Sequence, residues 1–234
     1  MQRSLFESSI LSKGAKEYWE AKPQQEICEL LGHDVAAMYG FDQHNPHHCY
    51  DLWTHSLWTL DNLKNRYPAS GMDDVYLLIA ALLHDVGKPA VAKQKGDRLV
   101  FYGHSAKSAQ IAETILSGLG YSRDEIGKIC FYIAHHDDFI SYVLPEEDYD
   151  HNNPFLIPIT DKNVFSHICS VEATIEATWY TRSLWNRLLL LCIADAEAQA
   201  PLVYQDGILV DSIPHKLSKL EAVRDILNSH RQSL

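Results

Sequence analysis

Apolar positions recur at helical spacing along most of the chain. From Asp51 to Leu63, the residues Trp53, Leu57, Leu60 and Leu63 fall on one face, and Asp73 to Leu83 is apolar nearly all round, as a central helix would be. "GKP" at 87 to 89 is expected to stop that helix, with Gly87 as its C-terminal cap and Pro89 just beyond. Another helix is predicted from Ser105 to Leu119, and Ser122 with Glu125 forms a capping box opening one that runs to His136. Val164 to Thr181, Ser183 to Ala200 and Pro214 to Ser229 complete the set, and a helical stretch around Ile27 to Met38 is expected to dock against them. Two stretches break the period. "KQKGDRLVFYG" at 93 to 103 reads as a short extended pair, and the acidic, proline-containing "LPEEDYDHNNPFLIPITD" at 144 to 161 as a long surface loop. The pattern predicts an all-α helical bundle, one domain over residues 1 to 234 with its core at about 35 to 200 and the loop inserted in it.

Composition narrows the partners. A net charge of −11 speaks against a long nucleic acid, whose binding draws on Lys and Arg neutralising phosphates. A small anion remains compatible, since bound divalent ions invert the local sign. The apolar run "LLLLCIA" at 188 to 194 is far below the roughly 18 residues that a membrane span needs, so no membrane partner is expected. Five cysteines without a CxxC spacing fit reduced thiols and a cytoplasmic location, and "MQRSLFESSI" lacks the marks of a signal peptide.

The informative residues are polar ones on apolar faces. "AALLHDVGKPA" at 80 to 90 carries the most apolar helix straight into His84 and Asp85. His136 continues the stripe of Ile126, Ile129 and Ile133; Asp195 continues that of Leu184, Leu188 and Leu191; and His55 sits between Leu52 and Trp58. Singly, each fits a hydrogen-bonded core residue. Together, inward imidazoles and two inward carboxylates with few inward cations are what a divalent metal site of mixed nitrogen and oxygen ligands requires. Asp85 can bridge two ions through its two oxygens, and without an ion its charge is read as a cost to the fold.

The series "THS", "LLHDVGKP", "GHS", "AHH" and "CIADAEAQ", in this order, resembles the HD superfamily of metal-dependent phosphohydrolases. The similarity is greatest to the HD domain attached to some bacterial tRNA nucleotidyltransferases, through "GFDQHNPHHCYDLWTHSLWTLDNL", "LVFYGHSAKSAQIAETIL" and "LLCIADAEAQ". No Gly-rich segment with paired acidic residues stands in the first 40 residues, so the chain is read as a free-standing HD protein. The resemblance implies an HD-type bundle in which His55, His84, Asp85 and Asp195 hold one ion, and Asp85, His104 and His136 a second. One or two divalent ions are implied, whether Mn, Fe, Ni, Mg or Zn.

Asp85 and Lys88 are the candidate catalytic residues. Lys88 either reaches a phosphoryl oxygen or is a solvated lysine at a helix end, and His135 is left to face substrate or solvent. His47 and His48 precede the first ligand helix and are read as surface loop histidines, with lining of the mouth as the alternative, and His33, His151, His167, His215 and His230 receive no role. The expected activity is hydrolysis of a small phosphoester, a nucleotide or 2′,3′-cyclic nucleotide, by metal-activated hydroxide. The alternatives are a diiron HD-type oxygenase and a non-catalytic nucleotide-binding module.

Overall fold

The computed structural model of the protein describes residues 3–67, 71–147, 152–175, 177–205 and 208–229. Four short helices open it: α1 (Arg3–Leu11), α2 (Ala15–Glu20), α3 (Gln24–Leu31) and α4 (His33–Ala36). The stretch expected around Ile27 to Met38 is divided, because Gly32 takes φ 97°, a left-handed value that ends one helix and starts the next. These helices bury Phe6, Ile10, Trp19 and Ile27 completely. Against them lies α5 (Leu52–Arg66), whose first turn is closed by Asp51 accepting from the N–H groups of Trp53 and Thr54.

The central helix α6 (Met72–Leu83) is buried all round from Val75 to Leu83, as its sequence predicts, and packs against α1, α5 and two later helices. Its C-terminal turn differs from the expected glycine cap. Gly87 has an ordinary φ of −83°, and after it a one-turn helix, α7 (Lys88–Val91), carries Pro89 in its first turn, where a missing N–H is harmless. Gly87 is required by space. A Cβ there would stand 2.5 Å from the Ser108 backbone nitrogen and 2.8 Å from the His104 carbonyl oxygen.

The hairpin of β1 (Lys93–Lys95) and β2 (Arg98–Val100) comes next, antiparallel as the sequence suggests. Then come α8 (His104–Gly118) and α9 (Arg123–His135), which pack on each other. α9 opens with the predicted capping box of Ser122 and Glu125. The 144–161 loop is flanked by a two-residue parallel pair, β3 (Tyr142–Val143) and β4 (Ile157–Pro158). The helix predicted over 164 to 181 instead spans Asp161–Glu172, as α10, with Thr160 as its cap. Beyond it the apolar residues leave the helical path to cover α9: the Trp179 indole lies over Gly127, where a Cβ would meet the ring at 2.5 Å. The Tyr180 hydroxyl and the Arg182 guanidinium meanwhile converge on Glu172. α11 (Ser183–Glu197), the unpredicted hairpin of β5 (Leu202–Gln205) and β6 (Ile208–Asp211), and α12 (Ile213–Ser229) complete the chain. One apolar cluster runs from Phe6 to Leu227. Among the described residues no helix is long and apolar enough to cross a membrane.

Two measurements probe this frame. Gly87→Ala forces backbone apart at the α8 contact and is expected to cost about 1–3 kcal/mol in a urea melt, the range for overpacking. Glu125 accepts both arms of Arg3, at 2.6 and 3.0 Å, and the Tyr76 hydroxyl at 2.8 Å. Chiefly through Arg3, its carboxyl is held at a pKa of about 2, below the ordinary 4.5. A depressed carboxyl stabilises fully above its unfolded value and loses that contribution as pH falls towards its folded one. Glu125→Gln should therefore cost about 1–2 kcal/mol at pH 7, and the difference from wild type should shrink as pH falls from 4.5 towards 2.

Candidate metal centre

Six side chains of the predicted set meet where five helices converge. His55 comes from the middle of α5, His84 and Asp85 from the turn that ends α6, His104 from the start of α8, His136 from the end of α9 and Asp195 from α11. Each imidazole turns Nδ1 to a backbone carbonyl: His55 to Ala198 at 3.2 Å, His84 to Ala81 at 2.9 Å, His104 to Phe101 at 3.0 Å and His136 to Ile133 at 2.7 Å. A carbonyl only accepts, so Nδ1 carries the proton, and Nε2 is the nitrogen that each ring presents inward.

The Nε2 atoms divide between the two oxygens of Asp85. Oδ2 lies 3.2 Å from His84 and 3.5 Å from His55. Oδ1 lies 3.2 Å from His104 and 3.5 Å from His136, whose Nε2 atoms are 3.3 Å apart. Asp195 Oδ1 closes the first group, 2.8 Å from His55 and 3.5 Å from His84. His55, His84 and Asp85 thus form one potential ligand group, and Asp85, His104 and His136 another.

Whether these residues suit a metal is decided by their unmet bonds. His55 Nε2, His84 Nε2, Asp85 Oδ1 and Asp195 Oδ1 are buried without a hydrogen bond. His55 Nε2 and Asp195 Oδ1 stand 2.8 Å apart, but with the His55 proton on Nδ1 both are acceptors. Buried polar atoms left unpaired are costly; three of these belong to the His55–His84–Asp195 side and Asp85 Oδ1 to the His104–His136 side, which fits cations on either side of Asp85. The donor set of imidazole nitrogen and carboxylate oxygen suits divalent transition ions.

Without an ion, protons hold the charge balance. Burial opposes a charge on His84, but Asp85 and Asp195 outweigh it and raise its pKa to about 10. Burial is likewise outweighed at His104, which Asp137 and Asp85 raise to about 9. Asp85 and Asp195 are held well below the carboxylate range, against burial, by His84 and Lys88 for the first and by His55 and His84 for the second.

Other residues fall differently from expectation. Lys88 is not a solvated lysine at a helix end. It is 6% exposed and donates to Asp85 Oδ2 at 2.7 Å and Gln43 Oε1 at 2.9 Å. Asp85 therefore has a buried cationic partner, and its carboxylate is not the uncompensated cost that the sequence suggests. His135 faces away from the centre, packed against Phe131 and Trp185, with Nδ1 2.7 Å from Asp138, which His167 also contacts at 2.7 Å. Substrate contact by His135 has no support in this placement. His151 and His230 lie outside the described residues. Asp137 is a member that the sequence pattern does not signal: its Oδ2 stands 3.0 Å from His104 Nε2, and burial notwithstanding, His136 and His104 hold its pKa at about 2. A cavity of about 330 Å³ adjoins the centre, lined by His47, His48, His136, Asp137 and Asp195 among others.

Helices that bring Nδ1-anchored imidazoles and two carboxylates to one buried point define a metal-binding helical domain of the His-Asp type. The chain belongs to the HD domain family, whose model matches residues 52–198 and which falls within the superfamily of metal-dependent phosphohydrolases. It is also 29% identical over 116 residues to a CC-adding tRNA nucleotidyltransferase of Thermus thermophilus. That match covers 49% of this chain and 25% of the relative, so the chain spans about a quarter of the relative's length.

Since His84 and His104 are raised into the protonated range, an ion must displace their protons. Apparent Mn affinity, measured by chelator competition, is expected to rise with pH between 6 and 8, by up to about two log units per pH unit. A flat profile would mean that these imidazoles are not ligands.

Proposed function

We propose that the chain is a metal-dependent phosphohydrolase acting on a small phosphoester, a nucleotide or 2′,3′-cyclic nucleotide. The observation that carries this reading is the division of Asp85 between two imidazole pairs, beside a cavity of about 330 Å³ that reaches the centre at His136 and Asp195. That volume lies at the lower end of small-ligand pockets and suits a mononucleotide better than a folded RNA. His55, His84, Asp85 and Asp195 would hold one divalent ion, and Asp85, His104 and His136 a second. Such ions supply Lewis acidity, lowering the pKa of water and neutralising charge on phosphoryl oxygens.

The chain's own groups fix the rest. Backbone carbonyls hold each Nδ1–H, so that Nε2 faces inward and binding an ion needs loss of a proton but no turning of a ring. Lys88, bonded to Gln43 and Asp85, pins the bridging carboxylate and adds positive charge beside it. Its ammonium is thus a positioning group first, and reaches a phosphoryl oxygen only by sharing its contact with Asp85. Five free cysteines support a reducing, cytoplasmic setting. The net charge of −11 supports a small substrate over a long nucleic acid, and the continuous apolar cluster supports one domain.

Asp85→Ala is the decisive variant. It removes the shared carboxylate and leaves Lys88 buried without its ionic partner, so it should destabilise even chelator-treated protein, by about 3–5 kcal/mol. Excess Mn should raise the melting temperature of wild type and barely move that of the variant. Phosphoester turnover, screened with Mn, Ni, Mg and Fe(II), should collapse. Equal metal-induced shifts in the two proteins would remove Asp85 from the ligand set, and oxygen consumption in place of phosphate release would overturn the hydrolase reading.

A further inference from the structure

One wall of the cavity comes from outside the residues that the family model covers. α12 begins at Ile213, beyond residue 198, and brings Lys216, Lys219 and Leu220 to the cavity that His136, Asp137 and Asp195 floor. Spaced by three, the two lysines share a helix face. The helix is firmly seated: Val223 and Leu227 are buried in the core. The Ser212 N–H donates to the Pro201 carbonyl at 2.9 Å, tying the start of α12 to the segment that leaves α11.

Each ammonium is met by a neutral acceptor. Lys216 Nζ donates to Gln199 Oε1 at 2.7 Å, and Lys219 Nζ to the Ile140 carbonyl at 3.3 Å. No ion pair with a carboxylate is formed by either among the described residues. Both are partly buried, and burial lowers the pKa of each. Asp195 and Glu147 act on them as countercharges without a direct ion pair, so each ammonium keeps capacity for an anion that comes into contact with it. Lys88 cannot supply this function, being held by Asp85 and Gln43. A phosphoryl group at the loaded centre would already face cations, so ammoniums on a separate wall serve charge further along the ligand.

We propose that Lys216 and Lys219 form an anion clamp, and that the substrate carries a second phosphate besides the phosphoester presented to the metal centre, as a nucleoside bisphosphate does. This rests on the phosphohydrolase reading of the same cavity.

The test uses full-length, Mn-loaded protein and two probes, adenosine 3′,5′-bisphosphate and adenosine 3′-monophosphate, with binding measured by calorimetry and hydrolysis by phosphate release. Wild type should bind the bisphosphate roughly 10- to 100-fold more tightly than the monophosphate, the range for charge-assisted hydrogen bonds. K216Q/K219Q should lose that preference while binding the monophosphate as wild type does, and K216R/K219R should keep most of it. Single variants K216Q and K219Q, each losing part of the preference, serve if the double variant does not fold. Equal affinity of wild type and K216Q/K219Q for the bisphosphate, or no preference in wild type, overturns the clamp. Lysine-dependent binding without hydrolysis overturns the hydrolase reading and leaves the clamp standing. Hydrolysis of both probes with the same kcat/KM by wild type and K216Q/K219Q does the reverse.

Discussion

A carboxylate at 1% exposure cannot stand without cations, and the burial of Asp85 is the condition around which this protein is arranged. Its oxygens are approached by four imidazoles and one ammonium, drawn from α5, the α6–α7 turn, α8 and α9. Moving any of these helices would strip the carboxylate of part of its surroundings. Gly87 shows how tightly the arrangement is drawn. Two residues past Asp85, it has no side chain because the α8 backbone occupies that space, and the same contact sets His104 beside Asp85.

Carbonyl anchors make the arrangement directional as well as compact. Four rings anchored through Nδ1, each with Nε2 turned inward, form a concave set of nitrogens whose orientation is fixed before any ligand arrives. Preorganisation of this kind keeps the cost of gathering the ligands within folding, so that binding does not have to meet it again. Asp137 extends the set to the lining of the cavity, with a carboxylate beside His104.

Most of the centre is legible in the sequence because its members interrupt apolar stripes. His55, His136 and Asp195 occupy positions that periodicity assigns to the core, and His84 and Asp85 end the most apolar helix. Periodicity fails where the helix itself stops. α9 ends at His135, so the helical phase says nothing of Asp137, and the turn after α6 hides both the burial of Lys88 and the spatial reason for Gly87. The predicted helix through Thr181 fails for a related reason: Ile175, Trp179 and Tyr180 keep an apolar spacing, but packing over Gly127 and the network at Glu172 claims them outside a helix. Lys216 and Lys219 look like the wet side of a last amphipathic helix, and only the tertiary fold turns that side to the cavity.

The anchors of His84 and His136 carry one more consequence. Each bonds the carbonyl three residues earlier in its own last helical turn, at Ala81 and Ile133, so each ring also caps the helix that bears it. The proposed coordination and helix termination therefore fall to the same two residues. An engineer who exchanged either histidine for a cysteine or a carboxylate to change metal preference would also leave a terminal carbonyl uncapped, and the helix end that aims the new ligand would fray. Retuning this centre calls for a replacement that keeps a donor at the Nδ1 position, or for a second change that closes the helix by other means.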